Sequence, residues 1–61
     1  MNKFERSEVA KALSYGNTLG QDYMARALSA LHRAARTKKS KDAIFKIAVE
    51  VGVLFNPEFI I

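Results

Sequence analysis

From Ile44 to Phe55 the chain reads IFKIAVEVGVLF, and only Lys46, Glu50 and Gly52 in that run are not apolar. Ile44, Ile47, Ala48, Val51, Leu54 and Phe55 recur at the spacing of one helical face, and Phe45, Val49, Gly52 and Val53 form a second. The remaining polar strip is Asp42, Lys46 and Glu50, spaced for i,i+4 ion pairs. A helix that is apolar nearly all round must be buried nearly all round. Two other short helices cover one of these faces and leave the other open. A competing reading is local: VEVGVLF alternates with a period of two and is rich in valine, as a strand is. The longer pattern favours a helix over 41–55, capped by Ser40 and stopped at Asn56-Pro57.

With 61 residues the chain forms one domain, 1–61, and such a domain buries a small core. Ordering it costs roughly 1.5 kcal/mol per residue, so chains of this size need a disulfide, a metal, regular helix packing or a partner subunit. Cysteine is absent and His32 is the one histidine, which removes disulfides, thiol chemistry and an ordinary structural zinc site. Regular helix packing and self-association remain. No run reaches the roughly 18 apolar residues of a membrane span, and MNKFERSE is too charged for a signal peptide, so the expected compartment is the cytoplasm.

Two more helices precede the apolar run. The first is expected over 3–15, with Asn2 as cap, Glu5 at the N3 position and Gly16 as the residue that ends it. Val9, Ala12 and Leu13 give its stripe, with Ala10 alongside and Phe4 one turn earlier. The second is expected over 19–36 behind a capping box of Thr18 and Gln21, with Met24, Leu28, Leu31 and Ala35 on one face. Arg33 and Arg36 fall in its last turn, where the helix dipole favours positive charge. The closing EFII is apolar and either folds back on the core or reaches a neighbouring chain.

The net charge of +4 is uneven. Arg26, Arg33, Arg36, Lys38, Lys39, Lys41 and Lys46 stand against Asp42 alone in residues 26–46, while the rest of the chain is net acidic. Arg33, Arg36, Lys38, Lys39 and Lys41 are therefore the candidate nucleic-acid contacts, since clustered basic side chains neutralise phosphates without reading sequence. The plain alternative is a solvated turn between helices. A helix-turn-helix centred on Gly16 fits poorly, because Asn17 and Asp22 would occupy its apolar core positions.

Catalytic chemistry finds no pattern to stand on. Glu5 and Glu8 are one turn apart, yet acids in a first helical turn serve the helix dipole. His32 lacks a partner of metal-ligand or triad type, the serines lie in no nucleophile elbow, and Gly16, Gly20 and Gly52 form no phosphate loop. The expectation is a non-enzymatic protein with no cofactor, metal or small-molecule substrate.

As a whole, NKFERSEVAKALSYGN followed by MARALSALHRAAR resembles the very small, cysteine-free, basic helical proteins encoded in early regions of temperate, lambda-like bacteriophages. That resemblance implies a non-enzymatic modulator of host processes that acts by binding in the bacterial host cytoplasm. The combined expectation is an all-α fold of three short helices, a homodimer packed through Phe45, Val49, Gly52 and Val53 of the third. Its expected role is a regulatory protein-protein interaction module with a host protein as partner. The alternative is a small basic DNA-binding regulator using residues 26–46.

Overall fold

A computed structural model describes the whole chain, Met1–Ile61. Helices α1 (Lys3–Leu19), α2 (Gln21–Ala34) and α3 (Lys38–Glu50) follow in order, with no strand. Helix α2 lies in the middle, packed on α1 along one side and on α3 and the C-terminal segment along others. The Cα radius of gyration, 10.2 Å, equals the roughly 10.5 Å that a folded single chain of this length is expected to have. The chain thus closes its own core.

Helix α1 starts as expected. The Asn2 side chain accepts from the Glu5 N–H at 2.7 Å, and the Glu5 carboxylate accepts from the Asn2 N–H at 2.9 Å. Its end differs from the expected Tyr15. Gly16 lies inside the helix and is buried, because the absent side chain is used for packing: a Cβ there would sit 2.8 Å from Met24 Cβ on α2. The helix ends one turn later at Gly20, whose φ of 103° suits glycine and whose N–H donates to the Gly16 carbonyl at 2.9 Å. Gly20 also begins α2, so Thr18 stays within α1 and the expected Thr18/Gln21 box does not form. The same continuity removes any turn at Gly16 on which a helix-turn-helix could be built.

Helix α3 is displaced toward the N-terminus from its expected 41–55. Thr37, not Ser40, caps it, through its Oγ1 and the Ser40 N–H at 3.1 Å. The helix stops at Glu50 through glycine rather than at Asn56-Pro57. Gly52 takes φ 80°, its N–H donates to the Val49 carbonyl at 3.1 Å, and the Val53 N–H donates to the Ala48 carbonyl at 3.0 Å. These are the paired bonds of a Schellman motif, in which the residue after the glycine turns back onto the helix. Val53 does so and is fully buried. VEVGVLF is accordingly no strand, and only Val49 and Glu50 of it belong to the helix.

The core follows the predicted stripes of α1 and α2, with Val9, Ala12, Met24, Leu28, Leu31 and Ala35 all buried. Ile44 and Ala48 close it from α3, while Phe55, expected on the same face, is 94% exposed in the turn beyond the helix. The last residues fold back. Phe59 is buried against His32, with ring centroids 6.1 Å apart, and the Ser29 hydroxyl donates to the Ile60 carbonyl at 2.9 Å while accepting from the Ile60 N–H at 3.0 Å. Asn56 donates to Asp22 at 3.0 Å nearby. A buried serine that satisfies both backbone groups of one tail residue leaves no polar atom of its own unpaired.

Candidate interaction surfaces

Two lysines of the basic run have partners within the chain. Lys38 is held by Asp42 at 2.9 Å, and the Lys41 ammonium donates to the His32 carbonyl at 2.8 Å, where it satisfies the open C-terminal end of α2. The expected strip of Asp42, Lys46 and Glu50 therefore pairs backwards, from Asp42 to Lys38. Arg33, Arg36 and Lys39 are exposed and engaged in no ion pair. Burial, with help from the Lys41 charge and against the pull of Asp42, holds the His32 imidazole below its usual 6.5.

The second apolar face of the expected third helix is likewise divided. Phe45 is half-buried, Val49 is 49% exposed and Gly52 is exposed, but Val53 belongs to the chain's own core. Gly52 serves helix termination and not close approach between helices. The signal was present in the sequence, since a glycine two residues after a polar Glu50 and followed by valine is the pattern of a glycine-terminated helix with an inward-turning apolar residue.

Glu5 does more than cap its helix. Besides the Asn2 N–H, its carboxylate accepts from the Ser40 hydroxyl at 2.9 Å, which ties the start of α1 to the start of α3. These hydrogen bonds, the Asn2 N–H first and Ser40 second, lower its pKa from the ordinary 4.5 against the opposing effect of burial. A depressed carboxylate pKa stabilises the fold above the unfolded value, and that contribution is lost as pH falls through the folded value. Glu5→Gln keeps acceptors for both donors and removes the titration. Its melting temperature is expected to fall less between pH 6 and pH 3 than that of the parent chain, read by circular dichroism; equal slopes would remove Glu5 from the acid response. Glu8, the other half of the carboxylate pair, is bound to Lys11 at 3.0 Å.

One surface was not foreseen. Between α1 and α2 lies an open trough of about 380 Å³, with Ala27, Ala30 and Ala34 along α2 and Phe4 and Tyr15 on α1. Tyr15 meets Tyr23 edge to face at one end, centroids 6.5 Å apart. At the other end a second hollow of about 410 Å³ shares Phe4, Leu31 and Ala34 and continues to Arg36 and Thr37. Phe4 is 67% exposed and Tyr15 54% exposed, so the aromatics stand up as walls beside alanines. Sequence periodicity assigned Phe4 to the core stripe because it registers which face a residue occupies and not how far the neighbouring helix reaches. The alanines at 27, 30 and 34 were the available signal, since their spacing of three and four keeps small side chains on one side of α2.

No helix is long and apolar enough to cross a membrane. Compared with family models, characterised proteins and solved structures, the chain matches none.

Proposed function

We propose that this chain is a small non-enzymatic module that regulates another protein by binding it, with the α1–α2 trough as the binding surface. The supporting observation is the pair of exposed aromatic walls, Phe4 and Tyr15, beside an alanine-lined groove on a chain whose core is otherwise closed. Contiguous exposed apolar surface of this kind marks interaction sites, and a groove between two helices is suited to an apolar helical face of a partner. In keeping with the resemblance to early phage proteins, the partner is a host protein. Ala30 is exposed, so Ala30→Glu places a charge in the trough without touching the core. The parent chain is expected to retain a discrete partner from bacterial lysate after nuclease treatment, and Ala30→Glu to lose it at unchanged melting temperature. Retention by both forms would sink the trough as the binding surface.

The proposal includes self-association on the α3 side. Exposed Val49 and Phe55, with half-buried Phe45, leave apolar surface there after Val53 is withdrawn into the core. Twofold dimers are the commonest soluble oligomers. Light scattering after size exclusion is expected to give twice the 6.8 kDa chain mass, and Val49→Glu to return it to one chain while Glu50→Lys leaves it unchanged. A mass of one chain for the parent protein at micromolar concentration would remove the dimer.

DNA binding is the second reading. It is favoured by α3 having no acidic residue in its first turn, where Lys38 and Lys39 oppose the helix dipole. Arg33, Arg36, Lys38, Lys39 and Lys41 are the side chains that would make such contacts, and of these Arg33, Arg36 and Lys39 are in neither an ion pair nor a carbonyl hydrogen bond.

A further inference from the structure

The trough carries a charge pattern as well as a shape. Along α2, Arg26 precedes Ala30 by four residues and Arg33 follows it by three, so helical spacing places both residues on the side of α2 that carries Ala30, next to the lining residues and not among them. Arg36 lines the trough's far end. Arg26 approaches Glu58 at 3.8 Å, with both side chains largely open to solvent, and Arg33 and Arg36 have no acidic partner. On the α1 side the lining acids are Glu8, paired with Lys11 at 3.0 Å, and, in the second hollow, Glu5, which is buried and accepts from the Asn2 N–H and the Ser40 hydroxyl. The α2 rim is thus an arginine edge beside an apolar floor, and the opposite rim offers no exposed acid that is free of a partner, since Glu8 is paired and Glu5 is buried.

From Tyr23 to Arg36 the trough runs on the order of 20 Å at about 1.5 Å per helical residue, which is the length of a helix of roughly four turns. Resting on the trough being a protein-binding surface, we propose that its occupant is an amphipathic helix of a partner protein whose apolar stripe is flanked by Glu or Asp. The stripe fills the alanine floor between Phe4 and Tyr15, and the acidic flank pairs with Arg33 and Arg36. Guanidinium groups grip carboxylates with two parallel donors, which fixes the direction and rotation of the docked helix in addition to attracting it. A basic-flanked helix with the same apolar stripe would place like charges on the arginine edge and be rejected.

The test is a display library of helical peptides of about 16 residues with a fixed leucine stripe at i, i+3, i+4 and i+7 spacing and Glu or Lys randomised at the flanking positions. It is selected against the full chain, against Arg33→Glu/Arg36→Glu and against Ala30→Trp, which fills the trough. The parent chain is expected to enrich Glu over Lys by about tenfold or more at the flanks, and the charge-reversed chain to enrich Lys. Equal recovery of Glu and Lys by the parent chain would overturn the acidic flank and leave the trough standing. Enrichment no greater than that given by Ala30→Trp would sink the trough itself. A duplex of about 20 base pairs that binds the parent chain more tightly than the selected peptide at physiological salt, and is lost in the charge-reversed chain, would assign the arginines to phosphates and overturn the proposal.

Discussion

Val53→Glu is expected to leave the chain unfolded, whereas Val49→Glu, four residues away, is expected to leave it folded. Both residues lie on the same face of a continuous helix drawn through 41–55, and on that basis they would respond alike. The Schellman turn at Gly52 separates them: Val53 is fully buried and Val49 is about half open to water. A carboxylate without a partner in the buried position costs about 3–5 kcal/mol, as large as much of the roughly 3–9 kcal/mol that a domain of this size holds. At Val49 the charge stays in solvent and the change is within about 0.5 kcal/mol for the folded chain. Far-ultraviolet circular dichroism and urea denaturation read both variants. A folded Val53→Glu chain would mean that the residue lies outside the core.

Gly16→Val is expected to destabilise the chain by about 2–3 kcal/mol and Gly16→Ala by roughly 1–2, although either residue favours a helix over glycine. Helix propensity alone gives the opposite sign, a gain of about 1 kcal/mol for alanine. The deciding contact is with Met24. Its Cε, 2.5 Å from where the new Cβ would lie, is the far end of a flexible side chain and can swing away, but its Cβ at 2.8 Å is fixed to the α2 backbone, so the two helices must part. Exposed Asn17, the next residue on α1, is the control: Asn17→Ala is expected to raise the urea midpoint while both Gly16 variants lower it. A rise in all three would show that α1 and α2 are not in close contact at Gly16.

These two positions show where reading along the chain stops being sufficient. A glycine near the end of a helical pattern is the ordinary sign of a terminus, and Gly16 and Gly52 both carry it. At Gly52 the sign is correct, and the chain leaves α3 there. At Gly16 the helix continues, since the residue is needed beneath Met24 and Gly20 supplies the positive φ one turn later. Nothing local distinguishes the two. The difference is the presence of a facing helix at one and of open solvent at the other.

The polar residues divide in the same way. Asn2 and Glu5 form their capping box as their spacing requires, because both partners lie within one turn. That Glu5 also receives the Ser40 hydroxyl, 35 residues away, depends on how α3 is laid against the start of α1. Lys41 looked like one member of a basic run and also closes the end of α2.

By itself the sequence determined the helical class, the three-helix order and the buried stripe from Met24 to Ala35, because these follow from local propensity and from a periodicity that does not depend on which neighbour covers the face. The tertiary structure alone decided which apolar residues remain outside. Phe4, Val49 and Phe55 are as apolar as the residues of the core, but exposure is a property of the space between elements, set by how closely Gly16 lets α1 approach α2 and by where Gly52 turns the chain back. The tail was undecided for the same reason. Of the apolar residues in EFII only Phe59 is covered, and only the placement of Ser29, His32 and Asp22 along α2 made its own chain the cover, while Ile60 and Ile61 stay exposed.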